Sequence, residues 1–113
     1  QVQIGDAGGL ETSGYLSASS NNANGSTTAV NNVTTGFHIR SQDGNNSFSG
    51  DMILTLQDSA NFEWCGSTNV TKGGTQVVSG GGSKALSAEL TQLSILDTGS
   101  SSFDAGAVNI LYF

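Results

Sequence analysis

Apolar and polar residues alternate along this chain in short bursts, separated by stretches rich in Gly, Ser and Asn. A period of two puts successive side chains on opposite faces of a strand, so each burst predicts a half-buried β-strand. Residues 2–4 open the chain as a short strand, ended by the Gly-rich turn of residues 5–9. A second strand is expected over 14–19, around Tyr15. Residues 37–40 alternate again, with Phe37 and Ile39 facing inward and His38 facing solvent. The best central strand is 52–57, where Met52, Leu54 and Leu56 share a face. Residues 58–61 read as a hairpin loop that returns the chain through 62–65, with Phe62 and Trp64 opposite Glu63. Further strands are expected over 75–79 and 83–87, flanking Gly80-Gly81-Gly82, and over 90–97. Residues 98–102 then lead into a closing strand. There Val108, Ile110 and Tyr112 point one way and Asn109 and Leu111 the other, an arrangement expected to tie the C-terminus into a sheet.

Between these bursts, residues 17–35 and 66–74 read as polar loops; the first is long enough to be either functional or mobile, and its replacement by a short Gly-Ser linker is expected to leave folding intact. Asp43-Gly44, within 42–46, signals a tight turn. No helical period lasts three turns. About nine short strands at this spacing predict an all-β fold, an antiparallel β-sandwich or jelly roll. Residues 1–113 form one such domain, either alone or as the C-terminal part of a longer chain.

Composition narrows the partners. Charged residues are 11% of the chain, where soluble domains usually have about 25%. The formal net charge is −6, with Arg40, Lys72 and Lys84 the only cations besides His38. Nucleic-acid backbones and anionic membranes attract basic patches, so neither is an expected partner. No apolar run approaches the roughly 18 residues that span a bilayer as a helix, and membrane insertion is not expected. Cys65 is the single cysteine, which excludes an intrachain disulfide; beside Trp64 it reads as a buried thiol. Proline is absent, so edge strands must be shielded by charge, loops or neighbouring subunits.

Chemistry finds little foothold. His38 has no acidic neighbour in sequence, and neither a Gly-x-Ser-x-Gly elbow nor a His-Glu-x-x-His motif occurs. The nine carboxylates fall mainly at turns and strand ends, where local hydrogen bonding explains them better than a glycosidase pair or a calcium site. Gly80-Gly81-Gly82-Ser83-Lys84 lacks the spacing of a phosphate-binding loop. Trp64 and Tyr112 read as core aromatics, Tyr15 as a surface one. No catalytic residue, cofactor or metal site is therefore expected. The candidate surface-recognition residues are Tyr15, Asn21, Asn22, Asn24, Asn31, Asn32 and Asn69.

Four elements occur in an order that resembles virion proteins of tailed bacteriophages, in particular the C-terminal domain of tail-fibre-like proteins. They are Asp6-Ala7-Gly8-Gly9-Leu10-Glu11-Thr12-Ser13-Gly14-Tyr15, then Phe48-Ser49-Gly50-Asp51-Met52, then Gly80-Gly81-Gly82-Ser83-Lys84-Ala85-Leu86-Ser87, and last Phe103-Asp104-Ala105-Gly106 with Asn109-Ile110. The apolar strand such proteins carry upstream of the first element is missing here, and residues 64–75 depart from the pattern. The resemblance implies a non-enzymatic virion domain, homotrimeric, in contact with other virion proteins and with a host surface glycan or protein. It transfers no binding residue. Two alternatives stand beside it: a capsid decoration protein, and a subunit of a secreted extracellular filament that completes its neighbour's sheet with a terminal strand.

Overall fold

The predicted alternation is realised as eight strands in two antiparallel sheets. The structure, a computed structural model, describes residues 1–41 and 45–113; the Asp43-Gly44 turn lies outside the described residues. The strands are β1 (Val2–Asp6), β2 (Gly9–Leu10), β3 (Leu16–Ala23), β4 (Ser26–Val33), β5 (Phe48–Asp58), β6 (Glu63–Lys72), β7 (Gln76–Ala85) and β8 (Gln92–Ile95). Among the described residues there is no helix. The smaller sheet runs β2-β1-β8 and the larger β4-β3-β7-β6-β5. In the larger sheet successive strands stay together, as a β3–β4 hairpin and a β5–β6–β7 meander joined through β3 and β7.

The core lies where the sheets face each other. Val2 and Ile4 from β1 are buried with Tyr15, Phe37 and Leu86, and Met52, Leu54 and Trp64 of the larger sheet pack against them. Phe37 belongs to no strand, yet its backbone bridges β1: Val2 N–H donates to the Phe37 carbonyl at 2.9 Å, and Phe37 N–H to the Val2 carbonyl at 2.8 Å. Its ring meets Tyr15 edge-to-face, centroids 5.3 Å apart. On the other side it lies over Gly66, where an added Cβ would come within 2.9 Å of the ring. Glycine at that position is what lets the aromatic ring approach the sheet.

Two expected loops are strands. Residues 17–35 hold most of β3 and all of β4, closed by a two-residue turn at Asn24-Gly25 with Gly25 at φ 77°. β3 is an interior strand, paired with β4 on one side and β7 on the other, so a linker in its place would remove the middle of the sheet. Residues 66–74 are mostly the second half of β6, ending in the Gly73-Gly74 turn. Both segments were hidden because their inward positions are small and polar: Ser17, Ser19 and Asn21 on β3 and Thr68 on β6 are buried. Gly80-Gly81-Gly82 likewise sits inside β7 rather than between two strands.

The expected closing strand does not form. Residues 96–113 carry no strand, and Val108, Ile110, Leu111, Tyr112 and Phe113 are all exposed. The segment has the side chains of a strand but lacks a ladder partner in its own chain. The last strand is β8, which pairs with β1 from Val2↔Ile95 to Gly5↔Gln92. Cys65 is also exposed rather than buried, because it lies on the outer face of β6 while Trp64 and Gly66 face inward.

Phe37→Ala removes the side chain that both sheets share. It is expected to cost about 3–5 kcal/mol, read as a lower urea-unfolding midpoint with an unchanged slope.

Candidate functional site

The two ends of the larger sheet differ in chemistry. One carries the turns at Asn24-Gly25 and Gly73-Gly74; the other carries the β5–β6 turn, residues 86–91 and the C-terminal segment. Five of the seven predicted recognition residues are exposed: Asn22 and Asn24 at the first end, Asn69 part-way along β6, and Asn31 and Asn32 at the end of β4 away from its turn. They do not converge. Asn22 accepts a hydrogen bond from Thr27 Oγ1 (2.9 Å) near the hairpin tip, whereas Asn69 Oδ1, on β6, accepts from Ser79 Oγ at 3.0 Å. Asn32 adopts φ 54° beside the β-bulge that shifts the β3–β4 register between Ser17 and Ser19, a conformation asparagine tolerates better than most residues. Asn31 lines a shallow depression of about 240 Å³ with Ala18, Ser20 and Val30.

The other two predicted residues are inside. Tyr15 is 3% exposed and Asn21 also 3%. The Tyr15 hydroxyl accepts the Ile4 N–H at 2.8 Å and donates to the Glu11 carbonyl at 2.9 Å, which pins the β2–β3 connection to β1. Burial pushes its pKa above the usual 10.0, with the Ile4 contact opposing and the Glu11 charge adding to the rise. Lys84 Nζ stands 5.4 Å over the Tyr15 ring and 2.5 Å from Glu11 Oε2. Asn21 faces inward on β3 and donates to Gln76 Oε1 at 2.7 Å. Both positions follow from the β3 alternation that the polar composition concealed.

A carboxylate cluster braces the β1–β2 turn. The Asp6 carboxylate accepts from the Ser87 hydroxyl and, at 2.7 Å, from the Gly8 N–H. These bonds hold its pKa below the usual carboxylate value, against some burial. Glu11 is lowered chiefly by Lys84, and its other oxygen accepts the Ser87 N–H at 2.8 Å. The arrangement is structural: every partner is a backbone amide or a side chain of the same fold.

His38 is half-buried rather than solvent-facing. Its Nδ1 lies 2.8 Å from Ser19 Oγ, and its backbone N–H donates to Ser17 Oγ at 2.8 Å. Burial lowers its pKa first, aided by the positive charges of the Gln1 amino group and Arg40. A serine beside a histidine is the beginning of a nucleophile–base pair, but Ser19 is buried beneath the segment that carries His38, where a substrate carbonyl cannot reach it. Among the described residues, no three His, Cys, Asp or Glu side chains group closely enough to hold a metal ion.

The opposite end holds the larger opening, a cleft of about 750 Å³. Leu56, Phe62, Trp64 and Leu90 form its walls, and Tyr112 and Phe113 of the C-terminal segment stand at its mouth. The Trp64 indole N–H, although buried, has no hydrogen-bond partner among the described residues. Tyr112, expected in the core, is 89% exposed. Sequence reasoning assigned Tyr112 to the interior because a strand-like C-terminus implied a sheet for it to join, whereas Trp64, also read as core, does pack against the core cluster.

No family model, curated protein or solved structure matches this chain.

Two outcomes follow. Glu11→Ala leaves the Lys84 ammonium buried without its carboxylate, an expected loss of about 3–5 kcal/mol by chemical denaturation. The lowered His38 pKa means that the unfolded chain takes up a proton first as pH falls through 6.5. The stability this residue contributes is thus complete above pH 6.5 and declines below it. Replacing it in His38→Asn should flatten the fall in unfolding midpoint between pH 7.5 and 5.5 relative to the wild type.

Proposed function

We propose that this chain is a non-enzymatic structural module of a tailed-phage particle, a homotrimeric part of a tail fibre. The observation that carries the reading is the apolar C-terminal segment, from Val108 to Phe113, which the chain's own fold leaves exposed. A monomeric domain rarely presents such a run to water, whereas an assembly module does so at its interfaces. The ordered likeness to virion proteins described above gives the type of assembly. The weakly charged surface agrees with a structural role. In this setting the exposed Asn22, Asn24, Asn31, Asn32 and Asn69 are the surface offered to a host glycan or protein. Neighbouring copies and other virion proteins meet the C-terminal segment. No cofactor takes part.

Quantitative mass spectrometry of purified native particles tests this directly. A few trimers per particle are expected. A ratio near one copy per several shell subunits would instead make it a capsid decoration protein. Dominance in a fibre that lacks shell protein would make it a filament subunit, and absence from every particle preparation would overturn the reading.

A further inference from the structure

We infer that residues 107–113 form a strand only in the assembly, where they add to the free edge of β5 on a second copy of this chain. The inference rests on the reading of the protein as a self-assembling module, and it goes further by naming the two surfaces that meet.

The donor is a strand without a ladder. Val108, Ile110 and Tyr112 alternate with Asn109 and Leu111, and β-branched and aromatic residues favour the extended pleated backbone. In its own chain the segment touches the aromatic cleft with Tyr112 and Phe113, but that contact leaves Ile110 64% and Tyr112 89% exposed. Intrachain packing therefore does not explain the run of apolar residues.

The acceptor is the longest open edge of the fold. β5 spans eleven residues and, among the described residues, pairs with β6 on one side alone. Natural edge strands are usually shielded by lysine, proline or shortness; β5 has neither lysine nor proline, and its charges are Asp51 and Asp58. Of its inward row, Met52 and Leu54 pack against the core cluster, whereas Leu56 lines the aromatic cleft instead. Met52 and Leu54 are half-buried, and Leu56 remains 43% exposed. A strand added there would bring a matching period-2 row, Val108, Ile110 and Tyr112, against these three side chains and complete the open backbone hydrogen bonds. The larger sheet's other open edge, β4, offers no comparable aliphatic row, its half-buried positions being Thr28, Val30 and Val33, and the edges of the smaller sheet, β2 and β8, are only two and four residues long.

Surface area supports a second copy as the occupant. The chain exposes 7102 Å², about 1,300 Å² more than expected for a compact monomer of 11.5 kDa. A stable interface removes about 800 Å² from each partner, which the excess can supply. Because donor and acceptor are different surfaces, the contact is head-to-tail; it closes into a ring or continues as a filament.

Light scattering after size-exclusion chromatography, together with photo-crosslinking, tests the pairing on the full 113-residue chain. The wild type is expected to elute as an oligomer and Ile110→Glu as a monomer, a threefold fall in mass if the ring holds three copies. Ile110 is exposed within its own chain, so the variant should keep a folded circular-dichroism spectrum. With p-benzoylphenylalanine at position 112, a mixture of ¹⁵N-labelled and unlabelled chains should yield mixed-isotope crosslinks to β5. A monomeric wild type, an Ile110→Glu variant that stays oligomeric, or crosslinks confined to single chains would each overturn the pairing. The number of copies bears on a different claim: open-ended growth keeps the pairing and displaces the closed trimer, while particle composition tests the virion reading separately.

Discussion

Phe37 is held at the point where both sheets and the crossing segment meet, and much of the architecture depends on keeping it there. Two backbone hydrogen bonds fix it to Val2, so the smaller sheet and residues 34–41 cannot move independently. Its ring fills the space above Gly66 and beside Tyr15. Tyr15 in turn anchors the backbone at Ile4 and Glu11 through its hydroxyl. One aromatic pair thus links β1, the β2–β3 connection and β6. Few other large side chains are fully buried in this chain, and the smaller the apolar core, the more each of its members matters.

Away from that centre the larger sheet is closed by hydrogen bonds rather than by hydrophobic volume. The inward face of β3 presents Ser17, Ser19 and Asn21, each small enough to let the crossing segment lie close. Ser17 and Ser19 bind the backbone and ring of His38, and Asn21 binds Gln76. Buried polar groups that keep partners lose little on leaving water, while a misplaced one costs heavily. A polar inner face therefore specifies where the crossing segment must sit more strictly than a greasy one would. It also couples the fold to pH through His38, whose charged form the buried site disfavours.

The same feature decides how much was legible in the sequence. The all-β class, the β5–β6 hairpin and the inward row Met52, Leu54 and Leu56 follow from plain apolar alternation. β3 and β4 alternate too, but between small polar residues, which hydropathy reads as loop; the Asn24-Gly25 turn was the remaining signal. Asn21 was placed on the surface because its strand was not seen, and Tyr15 because it borders what read as a long polar loop. The tail misled in the opposite direction. Its alternation is that of a strand, yet no strand forms there, because periodicity reports a residue pattern and supplies no ladder partner.

That distinction bears on the proposed assembly of a fold with so little charge and no proline. A long, nearly uncharged edge such as β5 pairs with any available strand unless something occupies it. The chain carries its own candidate occupant, attached by a connection of residues 96–106 that has no strand of its own. Tethering raises the local concentration of that occupant and so favours the intended strand over foreign ones. The shallow contact of Tyr112 and Phe113 with their own cleft would keep the segment near the sheet without burying it. An exposed apolar tail and an exposed apolar edge are each a hazard alone; in the proposed pairing each would cover the other.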